Sequence, residues 1–268
     1  MDLDHEDLTA LLALYDRRMR LGAPADPGTR VERTGPVVRQ SGGPDDWNGV
    51  LWSDLDQDTA DAAIAEQVRH FGPLGAGFEW KLYAHDRPAD LAERLRAAGF
   101  VPEPAEALMV ARVEDLATEA DALLPEGVRL VPVTDPAGVD LVARVHEQAF
   151  GSSAARLRAR MLAHLAENPG TLSLVLAMAG DLPVCAARME FHPGTGFASL
   201  WGGGTLPAWR GRGIYRALVA HRARLAAERG YGYLQVDAAD TSRPILLRLG
   251  FAQLSTTTPY VYGGQGEA

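Results

Sequence analysis

The segment Arg210-Gly-Arg-Gly-Ile-Tyr215 contains residue types at a spacing that could bind phosphate. The first amides of an α-helix lack intrahelical partners and lie at the positive end of the helix dipole, so anionic oxygen binds there favourably. The two glycines carry no Cβ atom that would keep a diphosphate away from the backbone, and the two arginines add charged donors. The pattern predicts a diphosphate-binding turn; an exposed turn without a ligand is the alternative interpretation.

The segments on either side are those that such a turn requires. An apolar run, Phe197–Trp201, predicts a strand that Gly202-Gly-Gly204 loosens and Pro207 ends. Apolar residues then recur at helical spacing from Ile214 until Gly230, which predicts a helix with a glycine stop. The glycines of the turn therefore lie between a strand and a helix.

At these residues the chain resembles the GCN5-related N-acetyltransferase (GNAT) family, whose diphosphate loop reads Arg/Gln-x-x-Gly-x-Gly/Ala. Arg210 and Gly213 match this pattern, whereas Tyr215 stands where the family usually has Gly or Ala. Ser242–Phe251 is similar to the family's last helix and the Leu-Gly-Phe that follows it. Residues 128–262 also follow the family's element order, β-α-α-β-β-β-α-β-α-β. The resemblance implies the GNAT fold, an α/β (α+β) structure with a mixed central sheet flanked by helices.

The resemblance implies acetyl-CoA as acyl donor, with its pantetheine running along the strand that leads into the turn. The predicted cofactor-binding residues are Gly203, Gly204, Thr205, Arg210, Gly211, Arg212, Gly213, Ile214 and Tyr215. No metal is expected. The aspartates at the start of a predicted helix, Asp54–Phe71, lack the glycine and terminal glutamate of a calcium loop.

Direct acyl transfer to an amine requires a base for the amine and a proton for the leaving thiolate. The family often supplies that proton from a tyrosine in the last helix, where this chain has Leu246. The remaining candidates divide into two groups. The candidate bases are Glu190, His192 and Asp237, and the candidate proton donors are Tyr215, Tyr260 and Tyr262. Of these we select Asp237, Glu190 and Tyr260 as the predicted catalytic residues, while each also has an ordinary structural explanation.

One segment in the first half of the chain is similar in sequence to a segment in the second half. Asp86–Phe100 resembles Asp240–Phe251 in its Arg-Pro start, apolar spacing and Gly-Phe ending. Predicted strands at Phe78–Tyr83 and Ala107–Arg112 flank the first copy. We interpret residues 1–120 as a degenerate GNAT-like domain and residues 127–265 as the acetyltransferase domain of a tandem protein. Chance similarity between two helix endings is the alternative.

Composition and charge exclude some classes of protein. The 268 residues are 47% hydrophobic, and the acidic N-terminus lacks a signal sequence, so a cytoplasmic protein without a membrane segment is expected. The single cysteine, Cys185, lies in an apolar run and is expected to be a core residue. Net charge is −9 overall, about −12 over residues 1–125 and +3 over residues 126–268, which argues against a general nucleic-acid binder.

The leading hypothesis is an acyl-CoA-dependent N-acyltransferase that acts on a small amine, as a monomer or homodimer. The replacement of the family's tyrosine by Leu246 leaves a second hypothesis, a non-catalytic acyl-CoA sensor or scaffold. A third hypothesis retains acyl transfer but uses an aminoacyl-tRNA donor, as some relatives of this fold do, and the acidic surface counts against it.

Overall fold

The computed structural model describes residues 5–74, 77–120 and 124–263, which form two compact units. Unit 1 comprises the described residues up to Met109, the segment Asp237–Pro244 and the described residues from Ala252 onward. Unit 2 comprises the described residues of Val110–Val236 together with Ile245–Phe251. Each unit therefore combines stretches that are distant in sequence.

The described chain contains both α-helices and β-strands. The helices are α1 (His5–Tyr15), α2 (Ala60–Phe71), α3 (Leu91–Ala97), α4 (Pro136–Phe150), α5 (Ala155–Glu167), α6 (Ile214–Glu228) and α7 (Arg243–Arg248). The strands are β1 (Arg30–Thr34), β2 (Val37–Ser41), β3 (Gly49–Ser53), β4 (Phe78–Tyr83), β5 (Val101–Pro102), β6 (Glu106–Arg112), β7 (Val128–Val133), β8 (Leu172–Ala179), β9 (Leu182–Phe191), β10 (Phe197–Thr205), β11 (Tyr233–Ala238) and β12 (Ala252–Tyr262). In the described part of the chain, no helix is both long and apolar enough to span a membrane.

The sheet of unit 2 has the strand order β7-β8-β9-β10-β11. Neighbours from β7 to β10 pair antiparallel, while β10 and β11 pair parallel. Leu174 and Leu176 of β8 belong to the cluster that also contains residues of α4 and α5, and Val175 and Ala177 belong to the cluster that contains residues of α6. Successive residues of a strand point to opposite faces, so helices on both faces explain why β8 is apolar throughout.

The sheet of unit 1 has the strand order β1-β2-β3-β4-β12, in which β3 and β4 are parallel and the other neighbours antiparallel. Its core joins α2 and α3 to the sheet. Phe71 of α2 stacks on Phe78 with ring centroids 4.4 Å apart, and Trp80 and Tyr260 are buried in the same cluster. Because aromatic side chains each bury a large apolar surface, this core buries much apolar area with few residues.

The predicted element order of the second half is found in the structure, and the mixed α/β class is confirmed. One expectation for the first half is corrected. The helix predicted over Asp54–Phe71 begins only at Ala60, because the Asp56 carboxylate accepts hydrogen bonds from the Asp58 and Thr59 amides and holds a turn there. β1 and β2 lie in a Pro- and Gly-rich segment, residues 23–43.

The C-terminal strand β12 belongs to a different unit from the one that the predicted sequence segments imply. β12 pairs with β4, from Thr257 opposite Tyr83 to Tyr262 opposite Phe78, and so belongs to unit 1. The predicted segment 127–265 would assign this strand to the second half. The boundaries 1–120 and 127–265 of the two proposed sequence domains stay a prediction.

The two Gly-Phe endings identified in the sequence have the same local geometry. Phe100 N–H donates to the Leu95 carbonyl over 3.0 Å, and Phe251 N–H donates to the Leu246 carbonyl over 3.1 Å. Both leucines and both phenylalanines are buried. The glycines between them have φ of +96° and +97°. The two Gly-Phe endings therefore share one local structure, which supports the internal repeat inferred from them.

Tyr260 provides a test that separates packing from chemistry. Its side chain is 2% exposed in the core of unit 1. We expect Tyr260→Ala to lower the free energy of unfolding by about 3–5 kcal/mol through the cavity it leaves. Tyr260→Phe, which keeps the ring, should cost less than about 1.5 kcal/mol. Denaturant unfolding measures both. A fully stable Tyr260→Phe protein that loses acyl transfer would instead support the catalytic role predicted from the sequence.

Candidate functional site

Gly211 and Gly213 set the backbone course of the turn before α6. Their φ angles are +74° and +85°, in the left-handed region that residues with a side chain rarely adopt. Gly213 is the residue immediately before the helix, which begins at Ile214. The two glycines are therefore required by the turn itself, in addition to the close approach for which they were predicted.

The N-terminus of α6 has unpaired amides. Among the residues that the structure describes, no side chain caps this helix. The first bond back into the turn runs from Ala217 N–H to the Gly213 carbonyl over 3.0 Å. The amides of Ile214, Tyr215 and Arg216 precede that bond and have no acceptor within the helix. They are available to an anion at the positive end of the helix dipole.

The two arginines of the turn have different surroundings. Arg210 donates from Nε to the Thr205 carbonyl and from one terminal nitrogen to the Ala149 carbonyl, both over 3.1 Å. It thus ties the turn to the end of β10 and the end of α4. Arg212 is exposed, with its guanidinium carbon 4.8 Å from the centre of the Trp209 ring. Arg212 is therefore the better placed of the two for an incoming anion, whereas Arg210 supports the shape of the turn.

β10 and β11 pair over only part of their length. Their parallel register runs from Phe197 opposite Tyr233 to Ser199 opposite Gln235, whereas β10 continues to Thr205. From Leu200 onward the edge of β10 that faces β11 has no ladder bonds to it. The two strands therefore leave a wedge, and its open edge presents backbone donors and acceptors along the way to the turn.

A β-bulge lies in this unpaired part of β10. The register with β9 shifts between Trp201 and Gly204. A Cβ atom on Gly203 would lie 2.7 Å from Cε2 of Tyr215, and one on Gly204 would lie 2.7 Å from Cε2 of Phe150. These glycines allow side chains of α6 and α4 to pack closely against the strand. The predicted pantetheine contacts of Gly203, Gly204 and Thr205 consequently rest on backbone groups.

Several polar side chains converge where β10 and β11 part. Glu190 stands opposite Ser199 in the antiparallel register and forms an ion pair with Arg188 over 3.4 Å. Ser199 Oγ donates to Gln235 Oε1 over 2.6 Å and lies 2.8 Å from His192 Nε2. Because the Ser199 hydroxyl proton is donated to Gln235, His192 Nε2 must be the donor in its hydrogen bond with Ser199. The structure brings the predicted residues Glu190 and His192 together at this point.

The other two predicted catalytic residues belong to unit 1. Asp237 forms an ion pair with Lys81, and the Asp237 side chain is 2% exposed. Burial lowers the pKa of Lys81, but Asp237 and the nearby Tyr15 and Glu79 raise it further, so the ammonium stays charged. Tyr260 lies in the core described above, with Arg96 over its ring. Both residues thus have structural partners, and their catalytic roles stay predictions.

The structure also describes Leu246, which stands where the GNAT family often has a tyrosine, and the nearby candidates for its role. Leu246 is fully buried and presents no polar group. The Tyr215 ring packs on the bulge, and burial raises the pKa of its hydroxyl. Cys185 is buried, as predicted, and burial raises the pKa of its thiol to about 11, which keeps it protonated near neutral pH.

Two features were not predicted from the sequence. Arg222 of α6 is buried, and its signal was available: it follows Ile214 and Leu218 at four-residue spacing on the apolar stripe. In unit 1, His85 lines a cleft of about 510 Å³ and joins Asp16 to Ser255 through its two ring nitrogens, each over 2.9 Å. No sequence motif marks that arrangement, because its members come from three distant segments.

Comparison with solved structures identifies the fold. A GCN5-related N-acetyltransferase from Kribbella flavida superposes with a TM-score of 0.66 at 19% identity, over 99% of this chain and 97% of that one. A GCN5-related N-acetyltransferase from Sphaerobacter thermophilus gives 0.58 at 16% identity, over 85% and 76%. A tandem GNAT protein from the clavulanic acid biosynthesis pathway gives 0.59 at 15% identity, over 98% and 97%. No protein-family model and no curated protein matches the sequence. The chain therefore has the GNAT fold predicted from its turn, and its full length resembles a tandem GNAT.

The turn can be tested with a pair of matched glycine variants. Gly211 and Gly230 flank α6 with φ of +74° and +75°, and a Cβ atom at either would meet nothing within 4 Å. We expect Gly211→Ala and Gly230→Ala each to cost about 1–2 kcal/mol of stability, because both force an alanine into the left-handed region. Only Gly211→Ala should also weaken acetyl-CoA binding in calorimetry, by about tenfold. Equal affinities for the two variants would remove the turn from the site.

Proposed function

We propose that the chain is an acyl-CoA-dependent N-acyltransferase that acts on a small amine, with acetyl-CoA as a donor and unit 2 as the catalytic unit. The observation that carries this proposal is the uncapped N-terminus of α6, which follows a strand that parts from its parallel neighbour. The first feature suits a diphosphate and the second suits an extended arm bound through backbone groups. The GNAT fold of the solved neighbours supports the same assignment.

In the proposed complex the diphosphate lies on the amides of Ile214 and Tyr215, with Arg212 beside it. The pantetheine runs along the free edge of β10 from Thr205 toward the bulge. This course places the thioester where β10 and β11 part, close to Glu190. An amide of the bulge is suitably located to donate to the oxyanion that forms at the thioester carbonyl.

The transfer itself is direct. The neutral amine nitrogen attacks the thioester carbonyl, a C–N bond forms, and the C–S bond breaks as the tetrahedral intermediate collapses. Glu190 accepts a proton from the ammonium form of the bound amine before the attack, and the second proton that the nitrogen loses on collapse passes to solvent. The leaving thiolate takes a proton from Tyr215 or from solvent; a thiol pKa of about 8.5 makes the thiolate an acceptable leaving group without a strong acid.

A non-catalytic acyl-CoA sensor is the second candidate function. The observation in its favour is the buried Leu246 at the position of the family's tyrosine. Measurement of thiol release from acetyl-CoA with a panel of amines distinguishes the two. Release that depends on the amine supports the transferase. Tight binding without release for any amine supports the sensor.

We expect Arg212→Ala to weaken acetyl-CoA binding by about tenfold in isothermal titration calorimetry, through loss of a charged donor to the diphosphate. The matched control is Arg224→Ala on the same helix, whose exposed side chain pairs with Glu228. That variant should bind as the wild type does. Arg210→Ala should weaken binding as well, by releasing the turn from Thr205 and Ala149. Wild-type affinity in both Arg210→Ala and Arg212→Ala would contradict the assigned site.

Glu190→Gln tests the base. We expect kcat for the best amine to fall by at least about 100-fold near neutral pH, while acetyl-CoA affinity is retained. The loss should shrink as pH rises toward the pKa of the free amine, because the acceptor then arrives deprotonated. Glu228→Gln, an exposed change on α6, serves as the control. A loss of kcat that is the same at every pH would show that Glu190 acts in some way other than as a base.

A further inference from the structure

Arg222 is a buried guanidinium that the protein leaves partly unpaired. Its side chain is 1% exposed. Nε donates to the Leu218 carbonyl over 3.0 Å, and one terminal nitrogen donates to the Arg188 carbonyl over 3.2 Å. The other terminal nitrogen is buried without a hydrogen-bond partner, and no carboxylate of the described residues pairs with the group.

Such a charge is costly. Transfer of a guanidinium from water to a protein interior costs several kcal/mol unless an anion compensates it, and two neutral carbonyls compensate only in part. Burial lowers the pKa of Arg222, and its closest titratable neighbours, Tyr215 and Cys185, are both neutral near pH 7. The chain therefore supplies no negative charge of its own to this guanidinium.

The position of Arg222 relative to the donor site can be estimated along two routes. Along α6, the eight residues from Ile214 to Arg222 correspond to about 12 Å. Along β10, the four residues from Thr205 back to Trp201 correspond to about 13 Å. Arg222 contacts the carbonyl of Arg188, which stands opposite Trp201 where the bulge begins. Arg222 and the start of the bulge are therefore at about the same distance from the turn. The acyl end of a donor bound as proposed lies at that distance as well.

We infer that Arg222 binds a carboxylate on the acyl group of the donor, so that the preferred substrate is a dicarboxylic acyl-CoA of succinyl type. This inference rests on the proposed function, which places the thioester at the bulge. A terminal carboxylate two methylenes beyond the thioester carbonyl would meet the unpaired nitrogen of Arg222 and form a charge-assisted hydrogen bond. The buried cation then becomes part of a compensated pair.

Tyr215 lies close to both Arg222 and the bulge. It precedes Arg222 by about two helical turns and lies on the same side of α6, with its ring held against Gly203 of the bulge. Since the unpaired nitrogen is closed off from solvent, a carboxylate reaches it only when a neighbouring side chain moves. In the inferred complex that side chain is Tyr215, whose ring turns away from Gly203.

The test compares acetyl-CoA, butyryl-CoA and succinyl-CoA as ligands of the full chain by isothermal titration calorimetry. Butyryl-CoA matches the four-carbon length of succinyl-CoA without its charge. We expect wild-type protein to bind succinyl-CoA about tenfold or more tightly than butyryl-CoA, as one charge-assisted contact would give. Arg222→Gln should abolish this preference while leaving the affinity for butyryl-CoA unchanged. Arg224→Gln, an exposed change on the same helix, should retain the preference.

The outcomes separate the two proposals. Binding of acetyl-CoA and butyryl-CoA without a preference for succinyl-CoA overturns the role of Arg222 and leaves the proposed function standing. A preference that survives Arg222→Gln also overturns it. Failure of all three donors to bind overturns the proposed function and this inference with it. If Arg222→Gln does not fold, the wild-type comparison still tests the inference, because equal affinities for succinyl-CoA and butyryl-CoA overturn it.

Discussion

The unpaired amides at the start of α6 are the constraint on which the functional interpretation depends. At α4, in the same unit, the Asp135 carboxylate accepts a hydrogen bond from Gly138 N–H over 2.7 Å, and Pro136 follows Asp135. α6 has neither feature, since Gly213 precedes it and Ile214 is its first residue. The positive end of its dipole is left for a group that the protein itself does not supply.

The two edges of β10 are paired to different extents. One edge pairs with β9 on both sides of the bulge, while the other pairs with β11 over only three residues. Gly203 and Gly204 let Tyr215 and Phe150 pack closely against the strand. The strand is therefore fixed by its faces and by one edge, and the remaining edge can bind an extended ligand without loss of order.

The second half of the fold could be predicted because its signals are local and strong. β8, β9 and α6 are long, their periodicity is clear, and the turn between β10 and α6 follows from glycine chemistry. What could not be predicted depends on long-range choices. The sequence of β12 identifies a strand but carries no signal of its pairing with β4. Asp237 looked like a base at a strand end, and only the fold reveals its partner Lys81, 156 positions away in the chain. The packing of Tyr215 and Phe150 against Gly203 and Gly204 was not foreseen either, and the backbone contacts predicted for these glycines stay a prediction.

A comparison of two buried arginines, Arg20 and Arg222, shows why Arg222 points to a ligand. Arg20 of unit 1 is 2% exposed, and its guanidinium contacts both carboxylate oxygens of Asp86 over 2.8 and 2.7 Å and Asp16 over 2.9 Å. Those carboxylates and the packed Tyr83 ring give Arg20 full compensation within the fold. Arg222 is buried as deeply but has only backbone carbonyls. A leucine or methionine at that position on the apolar stripe of α6 would avoid the desolvation cost. The arginine is therefore better explained by an anion that arrives with the substrate than by packing.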